Sequence, residues 1–237
     1  MSTYHKGKDG GDVGTLFIEA DTILFEKRGQ ITSKTWGEGK GGHIILKAKE
    51  SVTFAGNDGK GVNTASGIVM NTNSQKENAG DGGKLLVEAE HIFIKDGVLI
   101  FSSTHGKGQS GSITLRASYI SITGTGKAGS GNNIRVSVHD SSNGGDGGLI
   151  KVETQDLLLA EGAAILGSAH GLGKGSDITI HATGTITLLG ANTKGESSGI
   201  DSSSHPRLSP GEEIEPLRTL IAGPAGNITL DAKKIDK

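Results

Sequence analysis

The chain has 237 residues, of which 24 are basic and 26 acidic, and its net charge of −2 excludes the excess of positive charge that marks a nucleic-acid-binding surface. The absence of cysteine excludes disulfides and thiolate metal sites. Glycine accounts for 40 residues, roughly 17% against a usual level of about 7%, and aromatic residues for only 3%, so large rings cannot build the core.

The amino terminus, MSTYHKGKDGG (1–11), is polar. It has no apolar segment of the kind that forms the centre of a secretory signal peptide. No stretch of the chain approaches the ~20 apolar residues that a membrane-spanning helix needs. We therefore expect neither a signal peptide nor membrane insertion in this chain.

One seven-residue block recurs along the chain. It begins with glycine or serine, continues through a variable residue and alternating apolar positions, and ends with a small residue. Its copies are GTLFIEA (14–20), GHIILKA (42–48), GKLLVEA (83–89), GSITLRA (111–117), GLIKVET (148–154), SDITIHA (176–182) and GNITLDA (226–232). The starts are 28, 41, 28, 37, 28 and 50 residues apart, so short units of 28 residues alternate with longer ones.

Each block is followed by a second and a third apolar run. The second runs include TILF (22–25), HIFI (91–94), YISI (119–122), DLLL (156–159) and TITL (185–188). The third runs include QIT (30–32), GIVM (67–70), VLIF (98–101), NIRV (133–136) and AAIL (163–166). The joints are longer than the two-residue loops of hairpins, and the period is shorter than the ~40–50 residues of a propeller blade.

Three short strands in about 28 residues are typical of one coil of a right-handed parallel β-helix. The sequence therefore predicts an all-β solenoid of six full coils and the start of a seventh, in a single domain covering 1–237. The longer units are expected to carry excursions at 55–66, 123–132 and 206–224. The last of these holds all four prolines of the chain and is predicted to be an ordered flap or a short helix.

The sixth position of the block alternates in charge from copy to copy. It points away from the apolar side, and stacked strands lie about 4.8 Å apart, so these side chains are predicted to form one outward ladder. Opposite charges on adjacent strands stabilise by roughly 0.2–1 kcal/mol each. The ladder residues are Glu19, Lys47, Glu88, Arg116, Glu153, His181 and Asp231. The residues two before each block nearly repeat the alternation, as Asp12, Lys40, Asp81, Gln109, Asp146 and Lys174.

Two stretches, GDGGKLLVEAEHIFIKDGVLIFSSTHGKGQSGSITLRA (80–117) and GDGGLIKVETQDLLLAEGAAILGSAHGLGKGSDITIHA (145–182), carry a family resemblance. The repeat resembles that of filamentous-haemagglutinin-like exoproteins of two-partner secretion, and the likeness covers the chain except 206–222. It implies a secreted or cell-surface bacterial protein, exported through an outer-membrane transporter, that acts as an adhesin or a surface filament. The family's amino-terminal secretion domain has no match, so we expect an internal segment of a longer precursor.

Histidines recur at one corner of the predicted coils. Five residues after the third-run isoleucines Ile31, Ile68, Ile100, Ile134, Ile165 and Ile200 stand Trp36, Asn73, His105, His139, His170 and His205. One interpretation is a stacked ladder of side chains that stabilises the corner. The other is metal chelation by imidazoles of adjacent coils, since histidine ligates zinc, copper and nickel.

Other features that suggest ligand binding are weaker. The aspartates in GGDVG (10–14), GDGG (80–83) and GGDGG (144–148) are similar to those of calcium-binding solenoids, but these motifs recur only once in two coils. Polysaccharide-active β-helix enzymes need clustered carboxylates, and leftover carboxylates such as Asp140, Asp156, Glu161 and Asp201 form no convincing cluster in sequence. We predict no enzymatic activity and no cofactor.

Three outward positions are apolar where a free solenoid should be polar, namely Phe17, Ile45 and Leu86. They form either a partner surface or a surface covered by the insert at 55–66. Two functions follow from the whole pattern. The first is an adhesin stalk that binds a cell-surface, glycan or matrix ligand, and the second is a filament subunit that associates with itself through open β-helix ends. A polysaccharide-active enzyme is a distant third.

Overall fold

The computed structural model describes residues 2–3, 11–56, 66–73, 79–124, 133–139, 145–205 and 222–236. Within these residues the chain is all-β and contains no helix. The strands are β1 (Ser2–Thr3), β2 (Thr15–Phe25), β3 (Gln30–Thr35), β4 (His43–Ala55), β5 (Gly67–Thr72), β6 (Lys84–Glu88), β7 (His91–Lys95), β8 (Leu99–Thr104), β9 (Ser112–Thr123), β10 (Asn133–His139), β11 (Leu149–Ala160), β12 (Ala164–His170), β13 (Asp177–Leu189), β14 (Gly199–His205) and β15 (Ile228–Asp236).

The strands form two sheets, and the pairs within both are parallel. One sheet has the order β1-β3-β5-β8-β10-β12-β14, and the other has the order β15-β13-β11-β9-β6-β4-β2, with β7 beside β4 and β9. Successive repeats therefore add one segment to each sheet in turn. The result is a solenoid-like stack, in which each repeat lies on the preceding one.

The core lies between the sheets and is built from columns of equivalent residues. The third-run isoleucines pair in the predicted order, Ile31 with Ile68, then Ile100, Ile134, Ile165 and Ile200, and this alignment is confirmed. On the other sheet a second column consists of Leu16, Ile44, Leu85, Ile113, Ile150, Ile178 and Ile228. Its members from Ile113 to Ile178 are fully buried. Because side chains alternate between the two faces of a strand, the residues that flank these core positions along each strand point outward.

The first and second apolar runs are less separate than the sequence analysis predicts. In β2, β4, β9, β11 and β13 the two runs join into one strand of 11 to 13 residues. Only β6 and β7 are separate strands. The junctions contain no proline, so nothing forces the ladder to break. Pairing instead shifts in register between Ala20 and Thr22 and between Ala182 and Thr185, which are irregularities of the kind that bend a strand.

The predicted excursions fall largely outside the described residues, since 57–65, 125–132 and 206–221 are not described. At the end of the third excursion the chain is again in the stack, because Gly223 N–H donates to the Gly171 carbonyl (2.9 Å) and the Pro224 carbonyl accepts from Gly175 N–H (2.8 Å).

The chain departs from the repeat at 190–198, which the block pattern does not predict. There Ala191 and Ser197 form an antiparallel bridge. The Asn192 side chain, which is buried, accepts hydrogen bonds from the N–H groups of Lys194 and Glu196, each 2.9 Å. This is the local bonding by which asparagine stabilises a turn.

The glycine at the block start permits close stacking of the corners. From the second block to the sixth, the N–H of the second block residue donates to the carbonyl of the first residue of the preceding block, as in Leu149 to Gly111 (3.3 Å) and Asp177 to Gly148 (3.0 Å). A Cβ added to Gly148 would overlap the Gly111 carbonyl oxygen, whereas one added to Gly14 would meet nothing within 4 Å.

We expect Gly148→Ala to lower the free energy of unfolding by about 1–3 kcal/mol, because the methyl group must push two backbones apart. Gly14→Ala is the matched control, since it occupies the same block position in open space. It should change stability by no more than about 0.5 kcal/mol. Chemical denaturation of both variants measures the difference, and equal losses would contradict the close approach at Gly148.

Candidate functional site

The charge-ladder residues lie next to one another on adjacent strands of the eight-stranded sheet. The pairs, in order, are Glu19 with Lys47, Lys47 with Glu88, Glu88 with Arg116, Arg116 with Glu153, Glu153 with His181 and His181 with Asp231. Lys47 Nζ lies 3.6 Å from a Glu88 oxygen, and His181 Nδ1 lies 2.7 Å from an Asp231 oxygen. Every step of the ladder therefore places a lysine, arginine or histidine side chain beside an acidic one.

Arg116 is the centre of the ladder. Its guanidinium contacts Glu88 at 3.0 Å and Glu153 at 2.8 Å. Hydrogen bonds to Glu153 and then to Glu88 raise the pKa of Arg116. Hydrogen bonds from Lys151 and then from Arg116 lower the pKa of Glu153 below its ordinary value of 4.5. Because these side chains are partly exposed, each ion pair stabilises the fold only modestly. The contribution of the ladder to stability comes from the number of its pairs.

The aspartates of the glycine–aspartate motifs bind backbone amides. Asp12 Oδ1 accepts from Lys40 N–H (2.7 Å), Asp81 Oδ1 from Gln109 N–H (3.1 Å) and Asp146 Oδ1 from Lys174 N–H (3.0 Å). Each bond spans 28 residues, the length of a short unit. These aspartates belong to the alternating column predicted from the sequence, but their bonds to backbone amides were not predicted. A depression of about 470 Å³ runs over the corner of Asp81 and Asp146, and both carboxylates already have these amide donors.

The histidine corner is in register. His139 pairs with His170, and His170 pairs with His205, while His105 N–H donates to the Thr72 carbonyl (2.9 Å) one repeat before. The rings of His170 and His205 lie 5.6 Å apart with a tilt of 32°, and the side chain of His139 lies outside the described residues. In the described part of the chain, no group of three or more histidine or carboxylate side chains is placed to hold a metal ion.

The apolar outward positions Phe17, Ile45 and Leu86 are neighbours on β2, β4 and β6. Phe17 is 53% exposed, and the other two are half-buried. The insert predicted as their cover lies mostly outside the described residues. A further aromatic group, which the sequence pattern does not predict, lies on β7 and β9, where the Phe93 ring contacts His91 and Tyr119 at centroid distances of 6.0 and 6.3 Å.

The carboxylates outside the ladder are dispersed. Asp156 accepts from Thr185 N–H (2.7 Å). Glu161 lies in a left-handed turn with φ of 58°, and Asp140 is outside the described residues. Asp201 lines a depression on the outer face of the seven-stranded sheet.

That depression, which we call the Arg135 groove, crosses β10, β12 and β14. Its volume is about 220 Å³, and it is lined by Arg135, Leu166, Ser168, His170, Asp201, Ser203 and His205. Arg135, Leu166 and Asp201 occupy the same outward position on three adjacent strands. Arg135 is a site residue that the repeat pattern does not predict. An arginine in a column that otherwise reads Thr32, Val69, Phe101, Leu166 and Asp201 is the signal that could have found it.

Neither the family models, nor the curated proteins, nor the solved structures contain a match to this chain. Among the described residues there is no helix long and apolar enough to cross a membrane.

The ladder predicts a specific cost for reversing the charge at its centre. Arg116→Glu places three carboxylates on adjacent strands and should lower the free energy of unfolding by about 1–2 kcal/mol. Lys95→Glu is the control, because Lys95 is exposed and pairs with the neutral Ala55 and Thr123. Urea unfolding of both variants measures the difference, and an equal effect would rule out the ladder as a source of stability.

The lowered pKa of Glu153 predicts a pH dependence. The stability contributed by the ionised carboxylate is fully present above the unfolded-state pKa and is lost as the pH falls through the lower folded-state pKa. Wild type should therefore melt above Glu153→Gln at about pH 7, and the gap should narrow as the pH falls below about 4. Thermal unfolding across this range tests it, and a gap that persists in acid would show that the carboxylate charge is not its cause.

Proposed function

We propose that this chain is a rod segment of an extracellular bacterial surface protein of the filamentous-haemagglutinin-like type. In this proposal the two sheets belong to a right-handed parallel β-helix with six coils and the start of a seventh, each with three apolar runs. The rod holds a binding surface away from the cell, and the parent protein leaves the cell through an outer-membrane transporter. The role is mechanical and adhesive, not enzymatic.

The observation that carries the proposal is the parallel pairing of equivalent residues from β2 to β15. A stack whose repeats contact mainly their neighbours extends in one direction and stays stiff along it. The dispersal of Asp156, Glu161 and Asp201 supports a role without catalysis, because glycoside cleavage needs paired carboxylates.

A second function, a filament subunit, is favoured by the end of the eight-stranded sheet. There β15 pairs with β13, and no described strand lies on its other side. Ile228 and Ile235 in β15 are 42% and 43% exposed. An unpaired edge with apolar side chains is a template for another strand, so a second copy could continue the stack.

Negative-stain electron microscopy over a range of concentrations separates the two functions. Seven coils at about 4.8 Å each give a rod core of roughly 34 Å, and an adhesin segment should appear as isolated rods of this length at every concentration. Filaments that lengthen with concentration would instead support the filament subunit, and round particles would contradict both.

For the filament function, Ile228→Lys is expected to abolish growth, because a lysine at the open edge opposes strand addition. Leu149→Lys is the control, since Leu149 is 37% exposed and lies on β11, which is paired on both sides. Filaments that survive Ile228→Lys would show that growth does not use this edge.

A further inference from the structure

Arg135 on β10 is a half-buried cation with few partners. Its Nη2 donates to Ser168 Oγ (3.1 Å), and its Nε is buried with no hydrogen-bond partner. No carboxylate among the described residues forms an ion pair with it. Burial lowers the pKa of Arg135. A guanidinium offers five donors in a fixed plane, so most of its capacity is unused.

This arrangement costs stability unless a ligand offsets it. Removing an unpaired charged group from water is unfavourable. The other arginine described above, Arg116, has two carboxylates. A planar guanidinium that faces a groove is the group that binds a carboxylate through two parallel hydrogen bonds.

The rest of the groove limits the ligand. Asp201 lies two strands from Arg135, a separation of about 9–10 Å between equivalent backbone positions. The hydroxyls of Ser168 and Ser203 follow beside this row, and Ser203 Oγ lies 3.0 Å from His205 Nε2. Leu166 between the charged residues offers an apolar contact. The ligand should thus carry an anion at one end, hydroxyl groups that can donate to a carboxylate at the other, and an apolar face between them.

We propose that the Arg135 groove binds the carboxylate-bearing ring of an acidic sugar, with its carboxylate on Arg135 and its hydroxyls toward Asp201. The volume of about 220 Å³ is below the roughly 300–1,000 Å³ of pockets for drug-sized ligands, so a single ring is the unit recognised. This inference deepens the adhesive role proposed above by naming a ligand class, and it rests on that role for its biological meaning.

The test is a nuclear magnetic resonance titration of the whole chain with sodium glucuronate, which follows the Arg135 Nε–Hε signal. Glucuronamide, which has the same ring without the charge, and sodium sulfate, which has charge without the ring, are the matched probes. We expect glucuronate to shift the signal to saturation and glucuronamide to bind at least tenfold more weakly. If glucuronamide bound as tightly as glucuronate, this result alone would overturn the proposal, before any variant is measured.

Two variants sharpen the test. Arg135→Gln, followed on neighbouring amide signals, should weaken glucuronate binding at least tenfold, whereas Arg116→Gln on the opposite sheet should leave it unchanged. Asp201→Asn should weaken glucuronate but not sulfate, because only the sugar has hydroxyls for this carboxylate. If sulfate binds as tightly as glucuronate and Asp201→Asn changes neither, the acidic-sugar assignment is wrong. Rods seen by electron microscopy would still support the rod proposal, so the two failures are distinguishable.

Discussion

The structure depends on the pairing of each residue with its own equivalent in the next repeat. In a parallel ladder the partners lie about 4.8 Å apart. A residue type therefore suits a position only if it can lie next to the same residue type in the adjacent repeats. Isoleucine meets this condition, and Ile100, Ile134 and Ile165 form one buried column. Glycine meets it where backbones come too close for a Cβ, as between Gly111 and Gly148. A charge does not, because like charges at this distance repel.

Alternation of sign is the solution to this problem. Glu88, Arg116 and Glu153 satisfy one another because each unit carries the charge opposite to that of its neighbours. The aspartates at the preceding corner use a second solution. Asp81 and Asp146 direct their carboxylates to the backbone N–H of the next unit, and the residues above them, Gln109 and Lys174, add no second negative charge. The residue type at this corner thus alternates, because an aspartate carboxylate binds the backbone N–H of the following unit in every second unit.

Much of the fold could be predicted from the sequence, because stacking repeats the same chemical requirement in every unit. The block pattern identifies which residues pair, including Ile31 with Ile68 across the insert at 55–66. The joining of β11 through Thr154 and Gln155 could not be predicted, because whether a strand bends or ends there depends on a register shift, which has no composition of its own. The turn around Asn192 has a similar cause, since its side-chain hydrogen bonds lie within one unit and the repeat pattern carries no sign of them.

The candidate site could be predicted least, because it lies where the repeat is not obeyed. The columns that stabilise the stack are uniform or alternate, and a reader of the sequence finds them by their regularity. The outward column of Phe101, Arg135, Leu166 and Asp201 is neither, and no packing rule requires an arginine between a phenylalanine and a leucine. In a solenoid whose regular columns already supply the core, the corners and the charge balance, such a position is free to serve a ligand. The unused donors of Arg135 are therefore better explained by a group outside the chain than by the stack itself.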